Sequence, residues 1–367
     1  MLPFARAFVR SIPYLVLALL QLGPSGCGGD DGTAAGPDAS VDAPAATPIV
    51  APTEQWTWVP IEGMTCGNGS PTGVAVNLTD RSDDVVVFLN GGGACWDATT
   101  CFQLRTAADI DVDWDAAKFA TIAGAIGGYP LFERNLGAPF PDASYVFVPY
   151  CTGDVHTGRK VGTYQVNGAP RMVHHVGQEN LDALWPRLRA TRPDAATVFV
   201  TGASAGGYGA MIEGPRARAA WPGPMVHILS DSSHPVDAEA GRWAAMKAAW
   251  DVEIPADCPA CATGLGGYPA YMKAHAPAGS RWGLLMETRD ATISSYMGVS
   301  APDLETRTLA IRDAMTPGSG QAAFVIAGTA HVLTAQSPLP VTSGGVSLTV
   351  WLKDFATGGS NWRSIGP

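Results

Sequence analysis

The run Thr197-Val198-Phe199-Val200-Thr201 leads directly into Gly202-Ala203-Ser204-Ala205-Gly206-Gly207-Tyr208-Gly209, and this junction constrains the fold more than any other segment. A short β-branched run reads as a buried strand, and the Gly-rich stretch after it opens a segment of helical composition. A serine with glycines two residues to either side, on a sharp strand-to-helix turn, is held in strained backbone geometry with its hydroxyl exposed at a helix N-terminus. The glycines are required because a side chain at either position would collide with neighbouring backbone. A phosphate-cradling loop is the competing use of such glycines, but no Lys follows them. Ser204 is the candidate nucleophile.

The same strand-then-helix alternation recurs along the chain. Buried strands are expected at Val85 to Leu89, Tyr145 to Val148, Val198 to Thr201, Val226 to Leu229, Leu284 to Thr288 and Phe324 to Ile326. Helices are expected at Gln178 to Arg189, Ala238 to Trp250, Pro302 to Met315 and Val346 to Phe355. Strands separated by helices predict an α/β fold, α/β-hydrolase-like, with a mostly parallel central sheet, helices on both faces and sites at the carboxyl ends of the strands. With 46% hydrophobic residues in 367, the chain can bury a large core. From about Glu54 to Pro367 there is no second linker, repeat or low-complexity tract, so residues 54–367 are expected to form one catalytic domain.

A serine hydroxyl needs a base, and this fold orders the partners Ser, acid, His. His227 lies inside an expected strand, His234 follows one too early in the chain, and His275 lies in a polar segment. His331, just after the strand ending at Ile326, is the candidate base. Asp290 and Asp231 both follow strands downstream of Ser204, and either could orient the imidazole; position favours Asp290, with Glu287 a third choice. An oxyanion requires backbone donors. Ala205 supplies one, and the stretch Leu89-Asn90-Gly91-Gly92-Gly93 after an early strand offers the bare amides of Gly92 and Gly93.

The N-terminus addresses the chain. Arg6 and Arg10 precede an apolar run from Ile12 to Leu22, the pattern of an export signal over residues 1–27. Small residues lead to Cys27, a candidate for lipidation and membrane anchoring, although Pro24 stands where lipoprotein signals usually carry Leu; ordinary secretion is the alternative. Residues 28–53, rich in Gly, Asp, Ala, Pro and Thr, read as a disordered tether. Setting Cys27 aside leaves Cys66, Cys95, Cys101, Cys151, Cys258 and Cys261, enough for three disulfides in an exported protein. No His sits near the cysteines at zinc-finger spacing, so neither metal nor other cofactor is expected. The formal net charge of −10 argues against nucleic acid as a partner. A monomer is expected.

Several ordered blocks carry a resemblance: Thr65-Cys66-Gly67-Asn68-Gly69-Ser70-Pro71-Thr72-Gly73, Leu89 to Trp96 with Cys101, Pro149-Tyr150-Cys151-Thr152-Gly153-Asp154-Val155-His156-Thr157-Gly158, and Gly202 to Gly207. Together they resemble the pectin acetylesterase/Notum family. The resemblance implies a serine carboxylic ester hydrolase acting on an acylated, chiefly acetylated, carbohydrate or small ester. It assigns Ser204 as nucleophile, Asp290 as acid, His331 as base, and Gly92, Gly93 and Ala205 as the oxyanion hole. It also implies the disulfides Cys66 with Cys151 and Cys95 with Cys101. Asn90 and the Gly93-Ala94 pair depart from the family's usual acidic residue and Trp, and Ala291 to Ser294 replace the Trp-Gln that often follows the acid. These departures fall on expected pocket positions. Asp154, His156, His174 and His175 lack the spacing of a zinc hydrolase and are expected to shape the rim of the site.

Overall fold

Successive residues of the apolar runs divide between two cores. Val85, Val87 and Leu89 pack in one, Val86 and Phe88 in the other; Val198 and Val200 are separated from Phe199, and Leu284 and Met286 from Leu285, in the same way. Period-two alternation between two buried faces is what a sheet covered on both sides demands. The computed structural model describes residues 46–335 and 341–367. Among them the elements run β1 (Thr57–Thr65), β2 (Pro71–Asn77), β3 (Asp84–Leu89), α1 (Ala116–Gly127), β4 (Ser144–Val148), β5 (Lys160–Val166), β6 (Ala169–His175), α2 (Gly177–Thr191), β7 (Thr197–Ala203), α3 (Ala205–Ala220), β8 (Met225–Asp231), α4 (Arg242–Trp250), α5 (Pro259–Thr263), α6 (Tyr268–His275), β9 (Trp282–Glu287), α7 (Ala291–Met297), α8 (Ala301–Ala314), β10 (Gln321–Ile326) and α9 (Leu348–Thr357).

Eight strands form one sheet in the order β1-β2-β4-β3-β7-β8-β9-β10. From β4 to β10 every neighbouring pair is parallel, whereas β2 runs antiparallel to both β1 and β4. Residues of α2, α3 and α8, including Leu184, Met211 and Leu304, fill one core, and those of α1 and α9, including Phe119, Trp351 and Phe355, fill the other. The expected α/β-hydrolase-like architecture is therefore present. The carboxyl ends of β3, β7, β8, β9 and β10 lie side by side at one edge, where the loops carrying the candidate residues emerge.

Two expected helices begin later than their composition suggests. The segment from Ala238 is helical only from Arg242, because Gly241 takes a left-handed conformation immediately before it. In the segment from Val346, Ser347 caps the helix by accepting from the Val350 amide, so α9 starts at Leu348. The expected export signal, Cys27 and the tether as far as residue 45 lie outside the described residues. Within the remainder of the expected tether Ile49 is buried and its amide donates to Thr191 Oγ1, so packing begins ahead of Glu54.

Disulfides join Cys66 to Cys151, Cys95 to Cys101 and Cys258 to Cys261. The first spans 85 residues and ties the β1–β2 turn to the end of β4. Replacing both Cys66 and Cys151 by Ser should lower unfolding free energy by about 2–5 kcal/mol in equilibrium denaturation, chiefly by freeing the unfolded chain.

Glu213 of α3 is buried against Arg216, which also pairs with Asp182 of α2 and with Glu253. Burial pushes its carboxyl up to about 8, and the Arg216 charge only partly opposes this. A folded-state value above the unfolded one means that stability is fully present near pH 4 and is lost as pH rises through about 8, with a slope of at most ~1.4 kcal/mol per pH unit. The urea midpoint should fall between pH 5 and pH 8, and Glu213→Gln should flatten that fall.

Candidate active site

Ser204 occupies the turn between β7 and α3 with φ 57° and ψ −122°, a conformation costly for any residue with a side chain. The neighbouring glycines are a steric necessity. A Cβ on Gly206 would lie 1.9 Å from Leu89 O, and one on Gly202 would lie 2.4 Å from Gly206 C. The Ser204 amide donates to Asp231 O at 2.8 Å, so the turn is fixed to the neighbouring strand end as well.

Gly91, Gly92 and Gly93 follow β3 and run beside this turn. A Cβ on Gly91 would sit 2.5 Å from Ala203 O, and Gly92 and Gly93 take φ values of +155° and +78°. The Ala108 amide donates to Gly92 O. Because C=O and N–H of a trans peptide point opposite ways, this bond turns the Gly93 N–H away from residues 106–108. The amides of Gly92, Gly93 and Ala205 have no backbone acceptor among the described residues.

His331 Nδ1 lies 2.7 Å from Asp290 Oδ2. Asp290 is fully buried, and its other carboxylate oxygen caps α7 by accepting from the Ile293 amide. His331 Nε2 is buried without a hydrogen-bond partner among the described residues, and His331 and Ser204 line one open cleft together with Gly92 and Gly93.

The two other carboxylates considered from sequence do different work. Asp231 accepts from the amides of Leu333 and Thr334, from Thr334 Oγ1 and from Ser232 Oγ, so no oxygen is left for an imidazole. Glu287, at the end of β9, accepts from the Ala330 amide at 2.5 Å. Both are buried, and burial is the main cause raising each carboxyl above its ordinary range. Both therefore grip the backbone of the loop that carries His331, one on each side of it.

The remaining histidines are structural. His227 is buried in β8 beside Arg281, His234 Nε2 meets Glu287 O at 2.8 Å, and His275 pairs with Asp257 on the surface. The expectation that Asp154, His156 and His175 shape the rim is overturned: all three are buried. Asp154 accepts from Thr152 Oγ1 and from the amides of His156, Gly158 and Gly177, so it organises the loop after β4 beneath the site. His174, on β6, gives its amide to Gly67 O.

A second, apolar pocket opens from Ser204 and Gly93, and His331 does not line it. Its walls include Ile212, Trp243, Met246, Trp250, Leu265 and Met297. Ile212 lies two turns along α3 from Ser204, about 12 Å at the helical rise. The sequence does not single out this wall, although Trp243, Met246 and Trp250 share one helix face at i, i+3 and i+7.

The sheet order, the strained serine turn and the strand-end loops define a Notum-like α/β-hydrolase fold. A Wnt deacylase Notum structure from Drosophila superposes with a TM-score of 0.62, covering 85% of this chain and 95% of that one at 16% identity. The family model described as pectinacetylesterase matches residues 56–247, and the chain belongs to that family. Among relatives, a palmitoleoyl-protein carboxylesterase notum2 of Xenopus laevis is 28% identical over 42% of this chain and 30% of that protein. An inactive palmitoleoyl-protein carboxylesterase notum1b of Danio rerio is 30% identical over 28% of this chain and 71% of that protein. The chain thus spans about a third of the length of the first relative.

Each grip on the His331 loop should be measurable as stability. Asp231→Asn, which puts an amide against backbone donors, should cost about 1–3 kcal/mol. Combined with Thr334→Val it should cost less than the sum of the single changes, as coupled partners do.

Proposed function

We propose that the chain is an exported serine carboxylic ester hydrolase. Ser204 Oγ attacks the ester carbonyl while His331 Nε2 takes the hydroxyl proton, and Asp290 holds the imidazole and stabilises its cation. The tetrahedral oxyanion faces the amides of Gly92, Gly93 and Ala205. His331 then gives the proton to the departing alcohol, and a water deprotonated by His331 releases the acid from Ser204. The observation that carries this reading is the meeting of Ser204, the unpartnered Nε2 of an Asp290-bound His331, and the free amides of the glycine loop at one cleft.

The two pockets divide the substrate. The leaving oxygen must sit beside the histidine that protonates it, and His331 lines only the open cleft, so the alcohol part occupies that side. The acyl group enters the apolar pocket beyond Gly93. Family membership favours an acetyl group on a polysaccharide. The apolar lining of the acyl pocket carries a second reading, a longer acyl chain or polyester, although its free volume of about 40 Å³ suits a short acyl group better. A third, an idle site on an anchored binding protein, is given weight by the inactive relative, but an intact set of groups speaks for turnover.

Ser204→Ala should abolish hydrolysis of a small acetate ester while leaving the melting temperature within a few degrees; retained turnover in that variant would refute the proposal. Rates on acetate, octanoate and palmitate esters, with acetylated pectin and xylan alongside, separate the acyl readings. Failure of a fluorophosphonate to label Ser204 in the folded chain would revive the idle site.

A further inference from the structure

The buried loop after β4 contains two polar groups whose hydrogen bonds end on the backbone of the glycine loop. Tyr150 Oη donates to Gly93 O at 2.8 Å and accepts from the Val155 amide at 2.8 Å. His156 Nε2 lies 2.9 Å from Asn90 O; a carbonyl can only accept, so this nitrogen carries the proton. The two rings pack with centroids 4.8 Å apart. The Tyr150 ring also fills the space beneath Gly92, where an added Cβ would come within 2.9 Å of its Cδ1.

We infer that Tyr150 and His156 are positioning residues that set the oxyanion donors, acting through the carbonyls of Gly93 and Asn90. The inference rests on the esterase reading above. The glycine loop has little rigidity of its own, since three consecutive glycines impose no rotamer or Cβ restraint. Its carbonyls are held instead at both ends, Asn90 by His156 and Gly93 by Tyr150, with Gly92 O bound by the Ala108 amide between them. Amides fixed before reaction stabilise a developing charge without reorganising. Val155 and His156 themselves take φ of 51° and 63°, a strained pair stabilised where Asp154 accepts the His156 and Gly158 amides. Burial keeps His156 neutral and Tyr150 protonated, so both bonds persist through the neutral pH range.

The test compares a carboxylic ester with its thionoester, whose sulfur gains little from an oxyanion hole, across wild type, Tyr150→Phe, His156→Ala and His156→Gln. Tyr150→Phe and His156→Ala should lower kcat on the oxoester by roughly ten- to a hundredfold, less than outright loss of a donor. KM should stay within about twofold, since the lost interaction is made only in the transition state. The thionoester rate should change far less, so the oxoester-to-thionoester ratio falls. His156→Gln, whose amide can donate to Asn90 O, should restore much of the ratio. Equal losses on both esters, no loss on either, or unfolding of both Tyr150→Phe and His156→Gln by circular dichroism would overturn the inference and leave these side chains purely structural. A folded wild type that cleaves neither ester overturns the esterase reading itself, and this inference with it.

Discussion

The site depends on a contact between backbones. Where β3 ends and β7 turns into α3, Gly206 lies against Leu89 O and Gly91 against Ala203 O, at separations that admit no Cβ. Parallel neighbours in a sheet are set about five ångströms apart by their ladder, so loops leaving β3 and β7 on the same side must cross within that spacing. Only glycine on both loops allows this. The consequence is chemical: the bare amides after β3 are brought to the serine at the start of α3 without any side chain having to reach. Ser204 accepts a strained conformation because its amide is bonded to Asp231 O and the helix after it is buried, which spreads the cost over neighbouring elements.

The next strand ends apply the same economy to the histidine. Loops are the mobile part of a fold, yet on the proposed reading the imidazole must hold its position to well within an ångström. Three carboxylates, at or just after the ends of β8 and β9, converge on one loop: Glu287 holds Ala330, Asp290 holds the His331 ring, and Asp231 holds Leu333 and Thr334. Tyr129 Oη lies 2.5 Å from Thr334 Oγ1 on the far side. Burying so many carboxyls is expensive unless each is satisfied, and here the bonds that satisfy them are the ones that fix the loop.

This explains how far the sequence could be read. Strands at Val85, Tyr145, Val198, Val226, Leu284 and Phe324 are legible because buried parallel strands are continuous apolar runs. The antiparallel strands β1 and β2 are not, since Pro60, Gly63 and Gly73 interrupt them. The β5–β6 hairpin did carry a readable signal in its Asn167-Gly168 turn. At the site, Ser204 and the glycine loop are local features, and local patterns reveal them. Position along the chain favours Asp290, the residue that meets His331, but Asp231 and Glu287 stay open beside it because the choice depends on loop paths of forty to a hundred residues. The buried polar block around Asp154 misled for a related reason: charged and imidazole side chains ordinarily face water, and only the amides gathered around Asp154, together with the carbonyl facing His156, make its burial tolerable.

The same loop paths decide how a substrate is divided. His331 arrives from β10 on one side of Ser204, and α4 covers the other with Trp243, Met246 and Trp250. On the proposed reading the side bearing the proton donor must receive the alcohol, so the apolar wall can only meet the acyl group. Specificity for the acid half of an ester is then set by one face of α4 together with Ile212 of α3, Leu265 and the α7 residues Ile293 and Met297, while the alcohol half meets the open cleft beside Arg105, Thr106 and Thr292. Among the described residues the two surfaces share Ser204, Gly93 and Tyr296, and α7 serves both, with Thr292 in the cleft and Ile293 and Met297 in the pocket, whereas α4 lines the pocket alone. Substitutions in α4 can alter the acyl preference without moving the hydroxyl, the imidazole or the oxyanion amides, so a fold of this kind can hold its chemistry constant while its substrate changes.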